Sequence, residues 1–283
     1  MPNTVTSAQI EDLRKTAQKL RISIIEMLTE ARSGHRGGSL SCVEIVTALY
    51  FSVLKHDPKS PAWAERDRFV ISKGHGVPSV YAAMAHCGYF PVQELMTLRK
   101  TGARLQGHPD RMRLPGIEAS TGSLGQGLSV AQGMALASRL SPKPWHTYCL
   151  LGDGEIQEGQ VWEAAMSAPK FKLGGLTAIL DYNGGQIDGP VSEVMNLEPI
   201  ADKWKAFNWN VVTVDGHKLD EVVKALQESK KQDPRTGKPT MIIAKTVKGK
   251  GVSFMENKIE WHGVAPTKEQ MDAALNEIRG RLV

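Results

Sequence analysis

Three cysteines, Cys42, Cys87 and Cys149, are all that the 283 residues contain. They are widely spaced and odd in number, with no Cys-x-x-Cys pair. That argues against a disulfide framework and a structural zinc site, and fits a reducing, cytoplasmic setting. No apolar run approaches the ~20 residues of a membrane-spanning helix, so no membrane partner is expected. The opening MPNTVTSAQIEDLRKTAQKL lacks the apolar core of an export signal and reads as the lead-in to a helix. Basic residues form no long run and have no interleaved aromatics, so nucleic acid is not an expected partner. The net charge of +5 leans toward anionic ligands, although scattered solvated lysines account for it equally well. Repeats, low-complexity tracts and interdomain linkers are also missing. What remains, 41% hydrophobic and 23% charged, is the composition of a globular domain large enough for a buried core.

Apolar residues recur at helical spacing from Ala8 to about Arg32, at Ile10, Leu13, Ala17, Leu20, Ile24 and Leu28. Ser41 and Glu44 form an S-x-x-E pattern that predicts a capping box opening a second helix toward Leu54. A short strand is expected over Arg68–Ser72, followed by Gly74-His75-Gly76 and a helix near Val80–Cys87. After the glycine turn of GSLGQGLSVAQGMALASRL the alternation becomes regular. Strand-length apolar runs at Tyr148–Leu151, Leu176–Leu180, Asn210–Val214 and Met241–Ala244 alternate with helical patterns, notably Glu158–Ala168 and Leu219–Ser229. Such alternation predicts an α/β fold, one doubly wound domain over residues 1–283, its mainly parallel sheet covered by helices on both faces.

The stretch YCLLGDGEIQEGQ places Asp153 between two glycines directly after an apolar run. The dinucleotide fingerprint fails here, because Gln157 stands where its third glycine belongs and a bare carboxylate would repel a pyrophosphate. A Walker loop fails too, for want of Gly-Lys-Ser/Thr. A plain strand-to-helix turn, with the aspartate assisting the helix start, is one remaining reading. The other places a divalent cation between Asp153 and phosphate oxygens. Magnesium favours that arrangement, taking hard oxygen ligands from one or two carboxylates plus a substrate's phosphates. A second protein ligand should emerge at the same sheet edge. The next strand, in LTAILDYNGGQIDG, ends at Asn183, and Gly184-Gly185 beyond it offers a backbone carbonyl.

G-D-G, then 28 residues, then Asn resembles the thiamine diphosphate signature. SGHRGGS, RFVISKGHG, LQGHPD, TGSLGQG, KTVKGKG and WHGVAP together resemble the N-terminal segment of transketolases, in the same order and over roughly Ser33–Pro266. The resemblance implies that Asp153, Asn183 and the Gly185 carbonyl hold magnesium, with calcium or manganese as substitutes. Gly154 and Glu155 would offer backbone N–H groups to the diphosphate. Lys73 and His75 would approach the cofactor, and Gly122, Ser123 and Leu124 would lie along the aminopyrimidine. Lys248 and His262 would reach the diphosphate. His35, His75, His108 and His262 are the implied catalytic histidines, His35 and His262 facing the sugar and His108 its C1 hydroxyl and carbonyl. The family often has Asn at 184 and Glu at 110, where this chain has Gly184 and Asp110.

The implied reaction moves a two-carbon ketol unit from a ketose phosphate to an aldose acceptor, as in pentose phosphate interconversion. Protons must then move on and off hydroxyls, a task for imidazoles that titrate near neutrality. His56, His86, His146 and His217 lie outside the matching segments and are read as structural or exposed. Glu155 and Glu158 are read as helix-start and interface residues. Transketolases also need a glutamate from a pyrimidine-side domain, for which this sequence has no second α/β unit. The resemblance therefore implies the N-terminal subunit of a split transketolase, with a C-terminal partner in an α2β2 assembly. A modified ketose phosphate or sulfosugar is an alternative substrate. Two rival readings are a non-catalytic scaffold and a subunit of the 2-oxo acid dehydrogenase type.

Overall fold

The computed structural model describes residues 5–263 and 267–281, except for the side chain of His262. Helix α1 spans Ser7–Glu30 and opens with a capping box between Thr6 and Gln9. Its buried side carries the residues that the periodicity marked, from Ile10 to Leu28. Short helices α2 (Arg36–Leu40) and α3 (Val43–Ala48) follow, then β1 (Arg68–Ile71) and α4 (Val77–Cys87). Helix α5 (Gln126–Leu140) leads to β2 (Thr147–Gly152), α6 (Gly159–Lys170) and β3 (Leu176–Tyr182). The chain continues through α7 (Val191–Val194), α8 (Ile200–Ala206), β4 (Asn210–Asp215), α9 (Leu219–Ser229), β5 (Thr240–Lys245) and α10 (Lys268–Gly280).

The five strands pair in parallel in the order β1-β2-β3-β5-β4. Successive side chains on a strand point to opposite faces, and the two cores divide accordingly. Tyr148, Leu150, Ile179, Ile242 and Ala244 join the core beneath α1, α3, α4, α9 and α10. Their neighbours Cys149, Leu151, Ala178, Leu180, Met241 and Ile243 join the core beneath α5, α6 and α8. This is the doubly covered parallel sheet that the strand-helix alternation predicts. Parallel strands bring all their C-terminal ends to one edge, where β1, β2 and β3 deliver Ser72-Lys73, Asp153 and Asn183.

One expectation is corrected. Ser41 and Glu44 make no capping box: α3 begins after Cys42 with no side-chain cap. The Ser41 hydroxyl instead donates to Asp181 on β3, and Glu44 pairs with Arg21 of α1 at 2.7 Å. Both side chains are claimed by tertiary partners that lie far away in sequence.

Candidate active site

The C-terminal strand edge surrounds a cavity of about 390 Å³. His35, Lys73, His75, His108, Gly122, Leu124, Asp153, Gly154, Glu155, Asn183, Gly185 and Lys248 all line it. Ser123, between two lining residues, does not. His262 closes a short 3-10 turn at Ile259–His262, but its side chain lies outside what the structure describes. Gln157, Gln186, Ile187 and Asp188 also line the cavity and were missed in the sequence, where nothing marks them beyond a position near the glycines.

Three imidazoles gather at one part of this cavity. The rings of His35 and His75 lie 5.2 Å apart and those of His35 and His108 6.3 Å apart. Close glycines make this possible, since a Cβ on Gly122 would stand 3.2 Å from the His108 ring and one on Gly38 3.3 Å from His75 Nε2. Burial, reinforced by the positive charge of Arg99, lowers the His35 pKa to about 4 and depresses that of His108. At neutral pH both rings are thus neutral, able to accept a proton from one hydroxyl and return it to another.

Beside them sits Asp153, only 2% exposed. Its hydrogen-bond partners among the described residues are two backbone amides: Gly154 N–H donates to Oδ1 at 2.9 Å, and Gly184 N–H donates to Oδ2. Burial and the nearby Asp181 charge push its pKa up to about 6. Burial and Asp181 outweigh the nearby Lys73 charge, so the ionised carboxylate is unfavourable unless a further cation joins it. The neighbouring donors are hard oxygens. Asn183 is oriented by its Nδ2, which donates to Asp181 at 3.1 Å, and the Gly185 carbonyl already accepts from Lys248 Nζ at 2.9 Å. Burial lowers that ammonium to about 8. A carboxylate, an amide oxygen and a carbonyl suit magnesium. The described residues contain no cluster of three His, Cys, Asp or Glu side chains able to hold a metal ion. A cation here would therefore need further oxygens from whatever it helps to bind.

Asp181 is the principal organising residue that the sequence reading missed. It is fully buried and accepts from Ser41, Lys73, Asn183 and Thr246. Burial alone would raise its pKa, but the Lys73 ammonium holds it below the ordinary carboxylate range. Lys73 is likewise held above the ordinary lysine value by Asp181, against its own burial. Its Nζ also donates to the Gly38 carbonyl at 2.7 Å. Lys73 thus reaches the cavity with its charge already committed to Asp181. An aspartate in an otherwise apolar strand is the signal that could have found this hub.

Glu155 does stand in the first turn of a short helix, and it is buried there. A 3-10 turn, Gly154–Gln157, precedes α6, and from it the Glu155 carboxylate turns inward. It accepts from Ser72 and from the Gly125 and Gly152 amides, tying three loops together. Glu158 is exposed at the cavity mouth. The four histidines read as structural or exposed have partners elsewhere: His56 with Tyr89, His86 with Ser23, His146 with Thr177 and His217 with Glu44.

A parallel α/β sheet with a buried carboxylate and glycine turns around a cavity at its C-terminal edge has the form of a cofactor-binding domain. Residues 13–280 match the family described as transketolase, thiamine diphosphate binding domain, and the chain belongs to that family. It is 48% identical to the 6-deoxy-6-sulfo-D-fructose transketolase subunit of Clostridium sp. (strain MSTE9), over 96% of this chain and 98% of that protein. It is 41% identical to an apulose-4-phosphate transketolase subunit of Phocaeicola vulgatus, over 97% and 96% of the two chains. The solved transketolase of Campylobacter jejuni superposes with a TM-score of 0.88 at 34% identity, covering 97% of this chain but 43% of its own. No helix among the described residues is long and apolar enough to cross a membrane.

Proposed function

We propose that this chain, as one domain over residues 1–283, is the cofactor-binding subunit of a two-subunit, cytoplasmic transketolase. In this reading Asp153, Asn183 and the Gly185 carbonyl hold magnesium, and Gly154, Glu155, Lys248 and His262 serve the diphosphate. His75 and the Gly122–Leu124 segment flank the rings, and Lys73 supports them through Asp181. Bound there, thiamine diphosphate would supply carbanion stabilisation for transfer of a two-carbon ketol unit. The chain's own contribution is orientation and proton movement. His35 and His108, neutral at pH 7, accept and return hydroxyl protons, with His75 and His262 completing the set. The observation that carries the reading is the buried, raised carboxyl of Asp153 lining one cavity with the Asn183 and Gly185 oxygen donors.

A partner subunit would contribute the pyrimidine-side domain and its glutamate, in an α2β2 assembly. Two observations support this: the subunit relatives are matched over nearly their whole length, and the solved transketolase over 43%. Calorimetry of thiamine diphosphate with and without magnesium, partner present, is expected to show cation-dependent binding; no binding at saturating concentrations overturns the reading. Ketol transfer should need both chains, so full turnover by this chain alone would remove the partner.

Pentose phosphates are the default substrates. A sulfonated or otherwise modified sugar is the second reading, favoured by the 48% identity to the sulfofructose transketolase subunit. A donor screen of the reconstituted pair with xylulose 5-phosphate, 6-deoxy-6-sulfo-D-fructose and pyruvate separates these from a 2-oxo acid activity.

A further inference from the structure

His217 lines a second cavity of about 530 Å³, together with Glu44 and surface residues of α1, and not the cofactor cavity. It nonetheless has a direct connection to the cofactor loop. Its Nε2 stands 2.8 Å from the backbone nitrogen of Val247, and its Nδ1 stands 3.0 Å from Glu44 Oε2. A backbone amide can only donate, so Nε2 must present its lone pair to Val247. The ring hydrogen then sits on Nδ1 and donates to the carboxylate. Glu44 is in turn held by Arg21, whose Nε donates to the Lys250 carbonyl at 3.1 Å. Arg21 is 1% exposed and Glu44 7%. Two side chains rooted on α1 and α3, and one on the turn before α9, thus grip the same loop at positions 247 and 250.

That loop has little room to move. Thr246 donates to Asp181, and the Gly249 amide donates to the Gly37 carbonyl at 3.1 Å. A Cβ at Gly251, where φ is +97°, would stand 2.7 Å from Arg21 Nε. At Gly37 a Cβ would meet the Lys248 stem at 2.9 Å. Lys248 therefore leaves a backbone fixed on both sides and places Nζ on the Gly185 carbonyl.

We propose that the Arg21–Glu44–His217 relay is a positioning device for the Val247–Lys248 turn, setting thiamine diphosphate affinity through Lys248 without touching the cofactor. The inference rests on the cofactor reading above. Side-chain amides test it on the full chain with its partner. His217→Asn retains a donor to Glu44 but leaves the Val247 amide without an acceptor, whereas His217→Gln extends an acceptor to the Nε2 position. His217→Asn is expected to weaken binding of thiamine diphosphate with magnesium about 10-fold, the scale seen when outer partners of a bound group are lost. His217→Gln should stay within about 3-fold of wild type, and amide exchange at Val247 should accelerate in the Asn variant alone.

In a Lys248→Met background, His217→Asn should add no further loss, because the coupled pair acts through one group. Equal affinity and equal Val247 exchange in the Asn and Gln variants overturn the inference. So does a full additional loss in the Lys248→Met background, which marks a merely structural role. Failure of the wild-type complex to bind the cofactor sinks the functional reading instead, and the exchange comparison still decides whether the relay holds the loop.

Discussion

Each end of the sheet buries an aspartate, and the two are treated differently. At the N-terminal edge, Asp67 precedes β1 and accepts from the Lys55 and His146 amides at 2.8 and 2.9 Å and from the Lys230 ammonium at 2.6 Å. At the C-terminal edge, Asp153 accepts from two amides and, among the described residues, from no ammonium; Lys73 acts on its charge from nearby, but burial and Asp181 prevail and its pKa rises to about 6. The first carboxylate is closed by the chain's own charge. The second lines the cavity and takes no ion pair among the described residues, and on the proposed reading that difference separates a structural edge from a binding edge.

Replacing the two residues should break the comparison most sharply. Asp153→Ala is expected to weaken cation-dependent thiamine diphosphate binding by at least about 100-fold, as should chelation of the divalent ion, read by calorimetry. The same change should alter the melting temperature of the cofactor-free protein little, because the Gly154 and Gly184 amides lose their acceptor while a carboxyl disfavoured by burial and by Asp181 is removed. Asp67→Ala should instead act on stability alone. The Lys55 and His146 amides and the Lys230 ammonium all lose their acceptor, so urea unfolding should show a loss of about 2 kcal/mol with cofactor affinity unchanged.

Acid treats the edges alike. Burial depresses His146 at one edge and His35 at the other to about 4, from an ordinary 6.5. A depressed folded-state pKa means the unfolded chain binds the proton more readily. The stability these rings contribute is therefore complete above pH 6.5 and lost as pH falls to about 4. Unfolding curves across that window should steepen in their pH dependence, and His146→Gln should flatten the slope without altering cofactor affinity. The smallest effect concerns Gln157, which joins the Asp153 turn to the Gly185 turn through Gln186 at 2.6 Å. Gln157→Ala should weaken cofactor binding about 5-fold, the equivalent of one hydrogen bond.

Much of this architecture was legible because its elements are set by local pattern. Leu219–Ser229 forms the helix its periodicity indicates, and each predicted strand from Tyr148 onward grows only by polar or small end residues such as Thr147, Gly152 and Asp181. The cavity was legible through its glycines, which allow His108 and Lys248 to approach closely. Asp181 was not, because its role exists only once Lys73, 108 positions away, comes beside it. Ser41 and Glu44 misled for the same reason: a local capping pattern was overruled by distant partners. His217, read as structural, is held between Glu44 and Val247, a placement no neighbouring residue announces.

The gathering of Ser41, Lys73, Asn183 and Thr246 around Asp181 has a consequence for damaged variants of the chain. These residues come from four well-separated stretches, so a vitamin-derived ligand seated beside them would favour only molecules in which all four have docked. By mass action, abundant thiamine diphosphate would then rescue folding defects far from its pocket, making the coenzyme a chaperone for the protein that uses it.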